Sequence, residues 1–169
     1  KRIQTFNEQL VKTKVKPKDY RIGKVLWVPQ HEIYCKETKE KPPTSIGRVF
    51  PIFGPEYQYV PLQSEKLRGK IYYIVSGHGG PDPGAVYRNG GRKYCEDEYA
   101  YDIALRLARN LISHGATTYL IVRDPNDGIR SGSYLKSDKD EVCWRSQKIP
   151  RAQKKRLGQR AKAINKLYA

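Results

Sequence analysis

Methionine is absent from all 169 residues, so Lys1 is not a retained initiator and processing or cleavage ahead of it is expected. Long apolar runs are absent as well. None approaches the roughly 18 residues that would mark a membrane span, and the lysine-rich start lacks the apolar stretch of a secretory signal. Cysteine is scarce: Cys35, Cys95 and Cys143 are widely spaced and form no CxxC pair, which excludes a disulfide framework or a structural zinc knuckle and predicts free thiols. Acidic residues are few against basic ones, 17 to 33, for a net charge of +16. That imbalance implies attraction to polyanions. Nucleic acid, anionic lipid and cell-wall polymers all fit, as does a merely solvated basic surface. The basic residues gather before Lys24 and between Arg145 and Lys166, a dispersed pattern. No nucleic-acid-binding fold motif accompanies them.

What is present describes a folded protein. With 38% apolar and 30% charged residues and recurrent strand-like runs, disorder is excluded, and the length suits one main domain. Residues 1–30 are basic and close on VLWVPQ, a small separate element. Residues 31–69 hold Pro42, Pro43, Pro51, Pro55 and Pro61, which deny the backbone ladder hydrogen bonds. They read as a linker lying against the domain that follows. From Lys70 to the end the pattern is strand, helix, strand. Ile71 to Val75 predicts a strand buried on both faces and ends in GHGGPDPGA. Tyr99/Ala100, Ile103/Ala104, Leu107/Ala108 and Leu111/Ile112 predict one apolar helical stripe, with Asp97, Asp102, Arg106 and Arg109 between. His114 and Gly115 stop that helix, and Thr118 to Val122 predicts the next strand. A crossover of this length implies parallel pairing. Asp124 to Pro150 is polar loop with a turn at PNDG, and Leu157, Ala161, Ile164 and Tyr168 share one face of a last helix. The expected fold is α/β: an open mixed, mainly parallel sheet with helices on both faces, plus the small N-terminal segment.

Ligands in open α/β sheets gather at the carboxyl ends of strands. His78 lies just past such an end, in a turn whose glycines admit close backbone approach. A lone histidine in a turn is more often structural or merely exposed than a ligand. Counting back along the stripe from Ile103 through Ala100 reaches Glu96, at the helix start and facing inward. Glu98 continues into Asp102 and is expected on the solvated face. Glu96 is open to two roles, a cap on backbone amides or a metal ligand. Together with His78 it suits catalytic zinc, which takes three protein ligands and a water. His114, eighteen residues along the same helix, is roughly 27 Å away at 1.5 Å per residue and is set aside. His31, Cys95 and Asp82 stay open as third ligands.

IVSGHGGPDPGA followed by CEDEYAYDIALRLARNLISHGATTYLIVRDPNDGIR resembles the zinc-dependent N-acetylmuramoyl-L-alanine amidases of the Amidase_3 type, and QRAKAINKLY resembles the helix before that family's next strand. The likeness runs from about Lys70 to Tyr168, so that 70–169 would be the N-terminal part of an amidase catalytic domain. It implies zinc as cofactor, with His78 and Glu96 as its first two ligands, because the helix-motif alanine aligns at Ala104. It implies peptidoglycan as partner, hydrolysis of the amide between N-acetylmuramic acid and L-alanine, and a periplasmic or extracellular location. The second histidine ligand and the catalytic glutamate are expected beyond Ala169. YRIGKVLWVP resembles the closing half of a glycan-binding LysM module. The alternative is a fragment or degenerate homologue that binds peptidoglycan without cutting it.

Overall fold

The computed structural model describes residues 47–169. The small element expected at 1–30 and the first part of the proline-rich stretch lie outside the described residues.

The centre is a parallel pair, β3 (Ile71–Ile74) beside β6 (Thr117–Leu120), in register from Ile71 opposite Thr117 to Ile74 opposite Leu120. The crossover between them is α1 (Glu96–Ser113). Alternation along the strands sends side chains to opposite faces. Ile74 and Leu120 join Tyr101, Ala104, Leu105 and Ala108 of α1 in one cluster. Tyr73 and Tyr119 stack on the other face, ring centroids 5.6 Å apart, and pack with a second cluster that includes Ala163, Ile164 and Leu167 of α2 (Gln153–Tyr168). The fold is therefore α/β, with one helix on each face of the parallel pair.

Three antiparallel pieces surround it. Strands β1 (Gly47–Val49) and β2 (Tyr59–Pro61) pair, as do β4 (Val86–Asn89) and β5 (Arg92–Cys95). Strands β7 (Val122–Arg123), β8 (Val142–Cys143) and β9 (Gln147–Lys148) form a small sheet. Cys95 and Cys143 are free thiols, both buried. Helix α1 ends as its sequence predicts: Gly115 takes φ +89° and its amide donates to Ile112 O, while Ala116 donates to Leu111 O. No helix among the described residues is long and apolar enough to cross a membrane.

Residues 47–69 do more than lie against the domain. Phe53 and Val60 are in the first core cluster, and Arg109 of α1 donates to the carbonyls of Tyr57 and Tyr59 at 3.0 Å each. Ile129 donates to Phe53 O. A Cβ on Gly128 would lie 2.5 Å from Gly54 N, so only glycine permits that approach.

Both helices are rotated from their expected faces. Ile103 and Leu107, placed in the apolar stripe of α1, are 66% and 49% exposed, whereas Asp97, Glu98, Tyr101, Asp102 and Leu105 are buried. The cause is the loop after Asp124, which covers the polar side of α1 and supplies its hydrogen bonds. Arg130 N–H donates to Asp102 and Asp138 N–H to Glu98. In α2, Leu157 and Tyr168 are exposed while Arg156, Arg160 and Ala163 are buried, because the two guanidinium groups reach inward to polar partners. Strand β3 is covered at its centre only. Ile71 and Val75 are 56% and 38% exposed, since the ends of so short a strand project past the two packed layers.

Phe53→Ala should lower unfolding free energy by about 3–5 kcal/mol in a urea titration, the usual loss for truncating a buried phenylalanine. A residue of a linker outside the core would leave stability within about 0.5 kcal/mol.

Candidate metal centre

The turn after β3 is shaped by glycines with positive φ, among them Gly79 at +129°, Gly80 at +63° and Gly84 at +65°. Gly79 and Asp82 bridge each other through reciprocal backbone hydrogen bonds of 2.9 and 3.3 Å. The turn is then fastened to α1. A helix start leaves orphan amides, and here Glu96 N–H donates to Ala85 O at 3.0 Å and Asp97 N–H to Pro83 O at 3.2 Å. Gly84 sits in the angle between. A Cβ there would meet Glu96 Oε2 at 2.7 Å and His78 Cδ2 at 3.0 Å.

This arrangement brings His78 and Glu96 together. His78 Nε2 lies 3.5 Å from Glu96 Oε1, and Glu96 Oε2 accepts the Ala85 N–H at 2.8 Å. On the other side of the ring, His78 Nδ1 is buried and lies 3.3 Å from Asp82 Oδ2, without the alignment of a hydrogen bond. Arg156 donates to the same Asp82 oxygen at 2.7 Å, and Arg160 donates to Gly77 O. Burial opposes ionisation of Asp82, but His78, the Gly84 amide and Arg156 outweigh it and hold the carboxyl below its ordinary value. Burial and neighbouring Arg156 pull Arg160 down from its usual range.

The sequence placed Glu96 on the inward face of the helix and Glu98 on the solvated one. In the structure Glu96 is half exposed at the turn. Glu98 is 1% exposed and pairs with Arg130 at 3.0 Å. Glu96 thus meets His78 through the fastening of the turn to the helix start and not through helical phase. Of the three residues left open as third ligands, Asp82 stands at Nδ1, opposite the nitrogen that faces Glu96, Cys95 is buried in the strand before α1, and His31 lies outside the described residues. His114 caps the far end of α1, against Ser64 Oγ at 2.9 Å.

The pair fits a zinc ion on geometry. Bonds of about 2.0–2.2 Å at a tetrahedral angle separate two ligand atoms by roughly 3.4 Å, close to the 3.5 Å here. A carboxylate behind the other ring nitrogen is the usual outer support of a histidine ligand, and Asp82 occupies that place. Among the described residues no group of three ligand atoms includes His78 or Glu96.

Next to the turn lies a feature for which periodicity carries no signal. Glu141 is buried, accepts the Gly80 N–H at 2.7 Å, and lies with Asp97 and Glu98 in one group of ligand oxygens within 4.8 Å. Burial pushes the Glu141 carboxyl up to about 7, aided by Asp97 and Glu98 and opposed by the Gly80 amide. Burial likewise raises Asp97 to about 6. Asp124, raised by burial to about 6, builds the expected PNDG turn by accepting the amides of Asn126 and Asp127 at 2.7 Å each.

Compared with proteins of known function, the chain is 33% identical over 87 residues to the germination-specific N-acetylmuramoyl-L-alanine amidase of Bacillus subtilis (strain 168). The match covers 48% of this chain and 35% of that protein, so the chain spans about a third of the relative's length. No family model and no solved structure matches the chain.

The raised Glu141 carboxyl has a pH consequence. The folded state binds this proton more tightly than the unfolded chain, whose value is about 4.5. Its contribution to stability is therefore full below about pH 4.5 and lost as pH rises through about 7. In chelator, urea unfolding free energy should fall between pH 5 and pH 7.5. Glu141→Gln should flatten that slope by up to about 3 kcal/mol, the equivalent of some two and a half pH units, leaving the part due to Asp97 and Asp124, which burial also raises.

Proposed function

We propose that this chain belongs to a zinc-dependent N-acetylmuramoyl-L-alanine amidase, in which His78 and Glu96 hold the metal. The observation that carries the proposal is the 3.5 Å approach of His78 Nε2 to Glu96 Oε1, in a turn and helix start whose residues resemble those of that family. Identity over 87 residues to a named amidase supports the same class.

His78 would present Nε2, its ring held from behind by Asp82. Arg156 fixes Asp82 in turn, and the Ala85 amide leaves one Glu96 oxygen directed at the histidine. Bound there, zinc would supply Lewis-acid polarisation of the amide carbonyl and activation of water. The substrate in this proposal is the amide joining N-acetylmuramic acid to the L-alanine of the stem peptide, which places the protein in the cell envelope. The positive charge and the LysM-like residues within 1–30 would hold it near peptidoglycan. A second reading is favoured by one observation, that the described residues converge only two ligands where catalytic zinc takes three. In that reading the chain binds peptidoglycan without cutting it.

Protein extended past Ala169 through the next strand should carry about one zinc per chain by atomic emission and release stem peptides from purified sacculi. His78→Ala and Glu96→Ala should each remove the metal and the hydrolysis, and Asp82→Asn should weaken zinc binding about 10–100-fold. Full zinc retention in both alanine variants would refute the ligand assignment. Sacculus binding with neither zinc nor hydrolysis would establish the second reading.

A further inference from the structure

Seven of the chain's 17 acidic residues lie in one seam, in a protein of net charge +16. Asp97, Glu98 and Glu141 form its buried end. Glu141 is shared with a group containing Asp138 and Asp140, and Asp138 with one containing Asp124 and Asp127. Arg130 is the cation paired into this seam among the described residues, bound to both Glu98 and Asp127, and the field of Lys93 also reaches Asp97. At the buried end three carboxylates, none more than 4% exposed, face one guanidinium. A buried carboxylate without a partner is costly, and such groups are ordinarily paired or ligate a metal.

The three carboxylates are unequally satisfied. Glu98 is fully engaged, by Arg130 and by the Asp138 amide at 3.0 Å. Glu141 holds the Gly80 amide through Oε2. Asp97 Oδ1 accepts the Glu98 amide at 3.0 Å, but Asp97 Oδ2 is buried, in a residue 1% exposed, and meets no donor. This orphaned oxygen is a second observation beside the clustering, and it marks a missing positive partner.

We propose that Asp97, Glu98 and Glu141 bind one oxygen-preferring divalent cation of the calcium class, at a site separate from the His78–Glu96 pair. The donors are all carboxylate oxygens, the ligand chemistry of a hard cation. Two oxygens held at 2.3–2.6 Å from one calcium ion lie at most about 5 Å apart, and the three ligand oxygens fall within 4.8 Å of one another. The cation would join the start of α1 to the strand entry at Glu141 and, through the Gly80 amide, brace the glycine turn. The site is independent of the zinc proposal.

The test is equilibrium dialysis of metal-stripped 169-residue chain against calcium chloride, read by atomic absorption, with thermal melts in calcium and in chelator. One calcium per chain is expected, with a melting temperature raised by roughly 5–10 °C at a hundredfold excess over Kd. His78→Ala should keep this binding. Asp97→Asn and Glu141→Gln should each lose it, while Asp138→Asn, in the neighbouring groups, keeps it. Absence of calcium binding by the unaltered chain at millimolar calcium, with identical melts in both media, would overturn the proposal whatever the variants do. So would loss of binding in Asp138→Asn with retention in folded Glu141→Gln, which would move the ion along the seam.

Discussion

The hydrogen bonds from the Glu96 and Asp97 amides to the carbonyls of Ala85 and Pro83 are the constraint on which the rest of the site depends. A helix must satisfy its first amides somewhere, and this one does so on the far end of the glycine turn. The turn is thereby bent back onto the helix start, and the histidine at its beginning meets the glutamate at its close. Gly84 makes the contact possible, since any side chain there would overlap both residues. Asp82, fixed by Arg156, then stands behind the histidine, so that a helix on the opposite face of the sheet, α2, supports a site opened by α1.

Charge explains much of the remaining architecture. The protein is strongly basic, yet several of its arginines act inside it. Arg130 ties the loop after Asp124 to Glu98, Arg109 clasps the β1–β2 hairpin, and Arg156 and Arg160 hold the glycine turn. These guanidinium groups bond to carbonyls and carboxylates in fixed directions, which suits a planar, multiply donating group better than a point charge. Part of the positive charge is therefore a fastening for loops and not a surface offered to polyanions. The acidic residues are correspondingly concentrated, with Asp97, Glu98 and Glu141 gathered beneath the turn.

The local grammar was legible in the chain. The β3 run, the glycine turn, the stop at Gly115 and a parallel return strand follow from residue type and spacing, although the strand expected over Thr118 to Val122 runs Thr117–Leu120 and Val122 pairs in the small sheet instead. The faces of the two helices did not. Periodicity in α1 singled out Ile103 and Leu107 because they are apolar, but the loop after Asp124 packs on the polar side and provides donors that allow Asp97, Glu98 and Asp102 to be buried. In α2, Arg156 and Arg160 are buried because each reaches an acceptor distant in sequence, Asp82 and the Gly77 carbonyl. Phe53 was hidden by its prolines, which argue against a strand but say nothing against a short 3₁₀ turn (Pro51–Phe53) inserted into the core.

The sequence alone determined the α/β class and the strand, glycine turn, helix and strand at its centre, and it singled out His78 and Glu96 as a candidate pair. Each depends on local chemistry: apolar runs, glycine conformations and a motif read along the chain. The tertiary structure alone decided that Asp82 stands behind the histidine, that Glu98 is buried against Arg130 while Glu96 is half exposed, and that Glu141 comes to lie under Gly80. The last two contacts join residues 32 and 61 positions apart. Whether a charged side chain can be buried depends on the donors that folding brings to it, and no local pattern records them.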